Sequence, residues 1–215
     1  EPAARAVEAG AVVIDGSGLW GADPEVPLVV PGVNARALAE LGSRRSVALP
    51  GGAAAQLLEL LAPLERTVGL ARVDLVTLQA VASTAGQRGV EELAGQAARL
   101  LNGRPVEPRV FGQQIAFNLI PAAGPLEPDG SSPAERTLAA QARRILGDES
   151  LPINATSVTV PVFYGDAQVI HLETVAPCTP AQARGLWVEA GLRAEDSEGD
   201  ASLPTPVTHA ARTDD

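Results

Sequence analysis

Residues 47–64 read VALPGGAAAQLLELLAPL and carry the clearest fold signal in the chain. A short apolar run at 47–49 meets the breaker Pro50-Gly51-Gly52, and leucines then recur three and four residues apart, at positions 57, 60, 61 and 64. This order is typical of a buried strand, a tight turn and an amphipathic helix. Because glycine tolerates tight turns, we expect Gly52 to stand at the helix N-terminus.

Strand-like and helix-like segments alternate on both sides of this stretch, which predicts an α/β fold. The strand-like segments lie at residues 11–15, 27–31, 73–78, 115–120 and 169–173. A further strand is expected around Val158, Val160 and Val162, which would form its buried face, with residues 169–173 as its neighbour. The helix-like segments lie at residues 34–41, 90–102, 132–146 and 179–191.

Several helix ends carry local signals. Ser132-Pro133-Ala134-Glu135 has the form of a capping box with proline at the first helical position. Asn34 is expected to cap a short helix that Gly42 closes. The apolar residues predicted to share one face of the helix at 90–102 are Leu93, Ala97, Leu100 and Leu101. Residues 195–215 are polar, acidic and poorly periodic, so we expect a mobile tail.

The composition excludes several classes of function. The 215 residues include 26 acidic and 16 basic side chains, for a net charge of −10, and all the basic residues are arginine. Without lysine, Schiff-base chemistry is excluded. No basic cluster exceeds Arg44-Arg45 or Arg143-Arg144, which we interpret as solvated helix ends or loops, so we expect neither a nucleic-acid partner nor a membrane partner. No apolar run approaches the ~20 residues of a membrane span.

Cys178 is the only cysteine, which excludes an internal disulfide and a cysteine-based zinc cluster and indicates a cytoplasmic protein. We interpret it as a small residue in a connection. His171 alternates within a predicted strand and is interpreted as structural, and His209 lies in the tail, so no metal site is predicted. Asp15 follows a strand, and we favour a loop-capping role because a ribose-binding acid requires a Gly-rich loop upstream that this chain lacks.

Six stretches occur in a fixed order: EAGAVVID (8–15), PLVVPGVN (27–34), GVEELAGQAARLLNG (89–103), QQIAFNLIP (113–121), ARRILGD (142–148) and VPVFYG (160–165). Together they resemble the aspartate-semialdehyde dehydrogenase family. The resemblance implies the C-terminal part of a Rossmann-type nucleotide-binding domain at residues 1–49. At residues 50–215 it implies a catalytic and dimerisation-type α+β mixed-sheet domain of the semialdehyde dehydrogenase and glyceraldehyde-3-phosphate dehydrogenase C-terminal type. It also implies that the Gly-rich dinucleotide loop lies before Glu1 and that a final strand and helix follow Asp215.

Members of this family reduce aspartyl phosphate to the semialdehyde with NADPH, using a cysteine thiolate, a histidine that moves protons and an orienting amide. The resemblance places the cysteine on Gly52, the histidine on Asp166 and the catalytic glutamine on Gln79. A glycine cannot attack a substrate, and a carboxylate with a pKa near ~4 is a poor proton shuttle at neutral pH. Of these three groups, only the glutamine is retained.

The positions that should bind anions are substituted as well. By the same resemblance, the arginine for the substrate carboxylate falls on Thr159, the arginine for phosphate falls near Gly21, and a helix lysine falls near Thr137. Ser83 and Thr84 stand in the loop expected to contact the cofactor, which is slightly longer than usual. NADP is the cofactor that the resemblance implies, but these residues alone do not predict that this chain binds it.

These substitutions lead to three hypotheses. The first is a non-catalytic paralogue that keeps the fold, forms a homodimer or a heteromer with a family member, and acts as an interaction or regulatory protein. The second is an active NADP-dependent oxidoreductase without a cysteine nucleophile, in which Asp166 and Gln79 take part. The third is a gene fragment without a function.

Overall fold

The computed structural model describes residues 2–41, 45–121, 126–194 and 204–210. The chain forms two compact units. Unit 1 comprises residues 1–73, 137–153 and 172–194, and unit 2 comprises residues 74–136, 154–171 and 195–215. Gly42, Arg44 and, apart from residues 204–210, the tail expected to be mobile lie outside the described residues.

Helices and strands alternate along the chain, as the sequence predicts. The helices are α1 (Pro2–Glu8), α2 (Pro31–Asn34), α3 (Gly52–Val68), α4 (Val81–Leu101), α5 (Pro133–Leu146) and α6 (Pro180–Glu189). A 3-10 helix spans Ala35–Glu40, and a π-helical turn spans Pro206–Ala210. The strands are β1 (Val13–Asp15), β2 (Ser46–Ala48), β3 (Leu70–Gln79), β4 (Ile120–Pro121), β5 (Ile153–Thr159) and β6 (Ala167–Thr174).

In unit 1, β1 and β2 form a parallel pair in which Val13 lies opposite Ser46. Leu28 adds a single parallel bridge to Ala48. The strands predicted at 11–15 and 47–49 are therefore present, whereas residues 27–31 contribute one bridge instead of a strand. Assigning this part to the end of a Rossmann-type domain, with a boundary at residues 49 and 50, stays a prediction.

Helix α3 begins at Gly52, with Gly51 as its N-cap, which confirms the predicted strand–turn–helix. Three of its four predicted leucines are 0 to 1% exposed, namely Leu57, Leu61 and Leu64. Leu60 is half-buried, and its carbonyl accepts a hydrogen bond of 2.9 Å from Trp187 Nε1. Gly51 has φ −59° and ψ 150°, angles that any residue adopts, so the turn does not require glycine there.

The second sheet has the strand order β4-β5-β3-β6, and β4 pairs antiparallel with β5 through Ile120 opposite Thr159. Strand β6 therefore lies beside β3, so the predicted pairing of residues 169–173 with the valine-rich strand is wrong. The predicted buried face is confirmed only at Val160, which is buried just beyond the end of β5 at Thr159, whereas Val158 and Val162 are half-buried. The buried residues of β5 are instead Ile153, Ser157 and Thr159.

Polar residues can occupy this buried face because their hydrogen bonds are satisfied inside unit 2. The backbone N–H of Ser157 donates to Glu135 Oε1 at 2.6 Å, and the Thr77 hydroxyl donates to Ser157 Oγ at 3.1 Å. Glu135 belongs to the predicted capping box, which is confirmed: its Oε2 accepts from the Ser132 N–H at 2.6 Å, and its own N–H donates to Ser132 Oγ at 3.3 Å. A second capping box joins Thr179 and Gln182 at the start of α6.

Two further sequence predictions fail because polar side chains form hydrogen bonds with backbone groups that the sequence pattern does not reveal. Asn34 does not cap the helix that follows it; its side chain turns back, accepting from the Val30 N–H at 2.8 Å and donating to the Leu28 carbonyl at 2.9 Å. Residues 115–120 are not a strand, apart from Ile120 in β4. Gln96 Oε1 accepts hydrogen bonds from the first two residues of that segment, and the next residue, Phe117, has φ +59°, which breaks an extended strand.

Helix α4 starts earlier than predicted and contains a break at Gly86, where φ is 60° and ψ is −151°. Leu93 is buried as expected, but Leu101 is 78% exposed and does not share its face. Beyond the break, the helix body passes so close to its own first turn that a Cβ on Gly89 would lie 2.5 Å from the Val81 carbonyl oxygen. Gly89 is therefore required by a backbone contact.

Gly89→Ala and Gly95→Ala should change stability in opposite directions. The first alanine meets a backbone carbonyl, so we expect a loss of about 1–3 kcal/mol in the free energy of unfolding. The second adds a Cβ with nothing within 4 Å in the same helix, so we expect a gain of about 0.5–1 kcal/mol. Urea unfolding of both variants measures the difference, and equal effects would show that the close contact of the first turn is misplaced.

Candidate functional site

In unit 1 the predicted nucleophile position lies at the start of α3. Gly52 is exposed, and a Cβ built on it meets no atom within 4 Å. Packing therefore leaves room for a side chain at this position. The preceding N–H, that of Gly51, donates to Gln141 Oε1 at 3.0 Å. The N-terminal end of α3 thus already has a neutral amide oxygen as an acceptor.

The predicted phosphate position, Gly21, lies against the same glutamine. A Cβ on Gly21 would lie 2.9 Å from Gln141 Nε2, so a larger residue would require the amide to move. The Gly21 carbonyl accepts from Arg144 Nη1 at 3.1 Å, and Arg144 Nη2 donates to the Val26 carbonyl at 2.7 Å. An arginine does approach this loop, but it comes from α5 and bonds to backbone carbonyls.

The interpretation of Arg143-Arg144 as a solvated pair is therefore wrong. Arg143 is also engaged, because its Nε donates to the Leu151 carbonyl at 2.8 Å. Both residues are half-buried. In the other pair, the described member Arg45 is exposed and donates to the Gly10 carbonyl. Thr137, the position expected for lysine, is exposed on α5.

In unit 2 the predicted base position serves the start of α4. Asp166 is half-buried, and its Oδ1 accepts the N–H of Ala80 at 2.7 Å. Ala80 is the N-cap of α4 and has no side chain that could cap the helix. The next two N–H groups along the chain donate to the carbonyls of Val162 and Phe163 at 3.0 and 3.2 Å. Asp166 thus acts as a remote cap.

Two hydroxyl groups meet at Thr159, the position to which the resemblance assigns the substrate-binding arginine. Thr159 is 4% exposed, and its Oγ1 lies 3.3 Å from Oγ1 of Thr84. Thr84 also donates to the Ala80 carbonyl at 3.2 Å. Gln79 is half-buried at the end of β3, where its carbonyl accepts from the Val160 N–H at 2.9 Å. Ser83 is exposed.

The structure thus brings the predicted residues together in two groups. Gly21 and the start of α3 at Gly52 meet Gln141 in unit 1, whereas Gln79, Thr84, Thr159 and Asp166 surround the start of α4 in unit 2. That Gly52 comes close to Gln79 and Asp166, as the resemblance implies, stays a prediction. Sequence reasoning missed Gln141 and Arg144. Their spacing of three residues on α5 was the available signal, because it places two polar side chains on one helix face.

Asp15 has the loop-capping role that we favoured. Its Oδ1 accepts from the N–H and hydroxyl of Ser17 at 2.8 and 2.6 Å, and its Oδ2 accepts from the Trp20 N–H at 2.8 Å. These bonds, first that from the Ser17 hydroxyl and then that from Trp20, lower the pKa of Asp15 below its usual value. The carboxylate therefore orders the turn that leads to Gly21.

Other candidate features lie away from these residues. A cavity of about 460 Å³ in unit 1 is lined by α2, the 3-10 helix, α3 and α5 and contains none of the predicted site residues. Two of its charged side chains bond to backbone: Glu65 accepts from the Leu70 N–H at 2.7 Å, and Arg66 donates to the Val33 carbonyl. Within the described residues we find no His, Cys, Asp and Glu group able to hold a metal ion. No described helix is long and apolar enough to cross a membrane.

Comparison with known proteins identifies the class. Residues 61–215 match the family model described as semialdehyde dehydrogenase, dimerisation domain. The chain therefore belongs to the semialdehyde dehydrogenase family, and homologues named aspartate-semialdehyde dehydrogenase align with nearly all of it. The chain spans about 61% of the length of these curated relatives.

Three relatives illustrate the range of the family. Aspartate-semialdehyde dehydrogenase 2 of Vibrio cholerae is 40% identical over 97% of this chain and 61% of its own length. A crystal structure of aspartate semialdehyde dehydrogenase II complexed with ASA, from Vibrio cholerae, is 39% identical and superimposes with a TM-score of 0.90 over 99% of this chain and 62% of that one. A USG-1 protein homolog of Pseudomonas aeruginosa is 39% identical over 99% of this chain and 62% of its own length. The Candida albicans enzyme, solved with NADP, is 20% identical with a TM-score of 0.57 over 84% of this chain and 49% of that one, which supports the fold alone.

Asp15→Asn should lower stability at neutral pH and have less effect in acid. Because the folded pKa is depressed, the carboxylate's contribution is fully present above the unfolded pKa of about 3.9 and is lost as pH falls through the folded value. We expect a loss of about 1–3 kcal/mol at pH 7, measured by urea unfolding, that shrinks as the pH falls below ~4. Glu149→Gln, an exposed change, is the control. A loss independent of pH would contradict the capping role.

Proposed function

We propose that this chain belongs to a member of the semialdehyde dehydrogenase family that does not catalyse the family reaction and acts instead as an interaction or regulatory protein. The observation that carries the proposal is Gly52 at the start of α3. Since a Cβ there meets nothing within 4 Å, packing does not account for the missing side chain. The position can hold a cysteine and does not.

The other predicted positions support the same conclusion. Asp166 uses one carboxylate oxygen to cap α4, a structural task that competes with moving protons. Thr159 is buried and neutral beside Thr84, so it offers no charge to a substrate carboxylate. Gly21 has Gln141 where an arginine side chain would begin. A relative that matches 99% of this chain bears the name USG-1 protein homolog and is not called a dehydrogenase.

The alternative function is an active NADP-dependent oxidoreductase without a cysteine nucleophile. It rests on Gln79 at the end of β3, one residue before the N–H that Asp166 binds. NADP is the cofactor in the family, and binding by this chain belongs to the alternative proposal. An NADP titration of the whole protein, followed by a hydride-transfer assay with aspartate semialdehyde, decides between the two functions.

We also propose that the protein assembles with a second copy or with a related subunit in the cytoplasm. The dimerisation-domain match supports assembly, and unit 2 exposes large apolar side chains that such a contact would cover. These are Phe117, Leu119, Phe163, Tyr164 and Val169. The single cysteine fits a reducing compartment.

Gly52→Cys should fold normally and gain a reactive thiol without gaining efficient dehydrogenase activity. Helix N-termini favour a thiolate, but Asp166 replaces the histidine, a change that forfeits about 10²–10⁴-fold in rate. The measurements are thiol alkylation and phosphate-dependent NADP reduction with aspartate semialdehyde, for the whole protein. Asp166→His and Thr159→Arg are then added in turn. Activity near that of a catalytic family member from the single change would rule out the non-catalytic proposal.

Val169→Glu should weaken assembly. Val169 is 49% exposed on β6, which stands last in the order of the described sheet. A charge in a covered apolar contact should raise the dissociation constant about tenfold or more, measured by sedimentation velocity. Leu101→Glu, at a residue 78% exposed near the end of α4, is the matched control and should have little effect. Equal effects of the two changes would remove β6 from the proposed contact.

A further inference from the structure

Gln141 on α5 lies against two segments of unit 1: Gly51, which precedes the position where the resemblance implies the nucleophile, and Gly21, where it implies phosphate binding. Its side chain is 6% exposed, with Oε1 3.0 Å from the Gly51 N–H and Nε2 2.9 Å from the place of a Cβ on Gly21. The two ends of one buried amide therefore reach two segments that are far apart in the sequence.

The amide oxygen of Gln141 accepts the hydrogen bond that a bound anion would otherwise accept. Backbone N–H groups at a helix start point outward and favour a negatively charged or oxygen-bearing ligand. Gln141 Oε1 supplies such an oxygen from within the protein, 90 residues away along the chain. A free oxyanion would have to displace this bond to use the Gly51 N–H.

Arg144, three residues after Gln141 on α5, holds the loop that carries Gly21. Arg144 donates to the carbonyls of Gly21 and Val26, which fixes the loop that carries Gly21 beneath Gln141. Because one N–H of Nη1 and one of Nη2 are bonded to these carbonyls, those two N–H groups are unavailable to a ligand. Helix α5 thus binds both the start of α3, through Gln141, and the Gly21 loop, through Arg144.

We propose that Gln141 is a positioning residue that keeps unit 1 closed to tetrahedral oxyanions such as inorganic phosphate. Its amide replaces the oxyanion at the start of α3 and fills the space that a side chain at position 21 would need. The inference rests on the proposed function in one respect, since it explains why the phosphate-binding position is occupied in a non-catalytic member of the family.

The test is the thermal midpoint of the whole protein titrated with inorganic phosphate at constant ionic strength. Wild type and Gln113→Ala, an exposed glutamine, should show no saturable shift. Gln141→Ala should start lower and gain about 2–4 °C at a phosphate concentration about five times its Kd. Gln141→Glu keeps an acceptor oxygen and adds a negative charge, so it should remain insensitive to phosphate. A merely structural role for Gln141 would lower the midpoint without creating the phosphate response.

Two results would overturn the inference: a saturable phosphate shift in wild type, or a Gln141→Ala protein as insensitive as wild type. If Gln141→Ala fails to fold, Gln141→Asn retains the buried amide but is too short to reach the Gly51 N–H, and the same titration applies. If the wild-type protein has no dehydrogenase activity but binds phosphate, this inference is wrong and the proposed function stands. If the wild-type protein reduces NADP and shows no phosphate response, while Gln141→Ala gains one, the proposed function is wrong and this inference stands.

Discussion

Helix α4 can begin at Val81 because the carboxylate of Asp166, 86 residues further along the chain, accepts the N–H of Ala80. A helix start leaves backbone donors without partners, and alanine has no side chain to supply one. The segment that brings Asp166 also brings two carbonyls for the next N–H groups. The ends of β3 and β5 are bound to each other at the same place, through Val160 and Gln79. At the start of α3, the N–H of the N-cap residue Gly51 likewise has a distant side-chain acceptor, Gln141.

These caps have a consequence for chemistry. Catalysis needs donors and acceptors that are held in place but left for the substrate, whereas stability favours bonding each of them within the protein. In unit 1 the amide of Gln141 and the guanidinium of Arg144 are bonded to backbone, and in unit 2 the hydroxyls of Thr84 and Thr159 lie against each other. These four side chains have the hydrogen bonding of a structural site, as expected under the proposed non-catalytic function.

Sequence reasoning succeeded where the signal was local. The leucine spacing of α3 and the Ser132–Glu135 capping box follow from contacts within a few residues, and the Asp15 carboxylate accepts hydrogen bonds from the turn that follows it. Reasoning failed where a distant side chain redirects the backbone. Gln96 takes the N–H groups at the start of residues 115–120, so an apolar run that reads as a strand becomes a loop.

The buried face of β5 was missed for a related reason. Hydrophobic alternation points to the valines, but Ser157 is buried because Glu135 and Thr77 satisfy it from other elements. The candidate site divides in the same way. Positions such as Gly52 and Thr159 are assigned by matching ordered motifs, and their roles stay predictions. Motif matching does not give the role of Gln141. Its spacing from Arg144 indicates a shared helix face, but the backbone N–H that it binds lies 90 residues away in the sequence.

Gly21, Gly51 and Gln141 also constrain how unit 1 could acquire an anion site. An arginine at position 21 would require the Gln141 amide to move, because Nε2 lies 2.9 Å from the place of its Cβ. Removing the amide alone would leave the N–H of the exposed residue Gly51 to bond with water, which loses the roughly 0.5–1.5 kcal/mol of a typical intramolecular hydrogen bond. Each single change is therefore unfavourable, while the two together could be compensated by a bound oxyanion that takes the hydrogen bond and pairs with the arginine. Residues that share one partner are coupled in this way and do not contribute additively. The closed arrangement is consequently a stable alternative to the anion-filled one, separated from it by changes that must occur together.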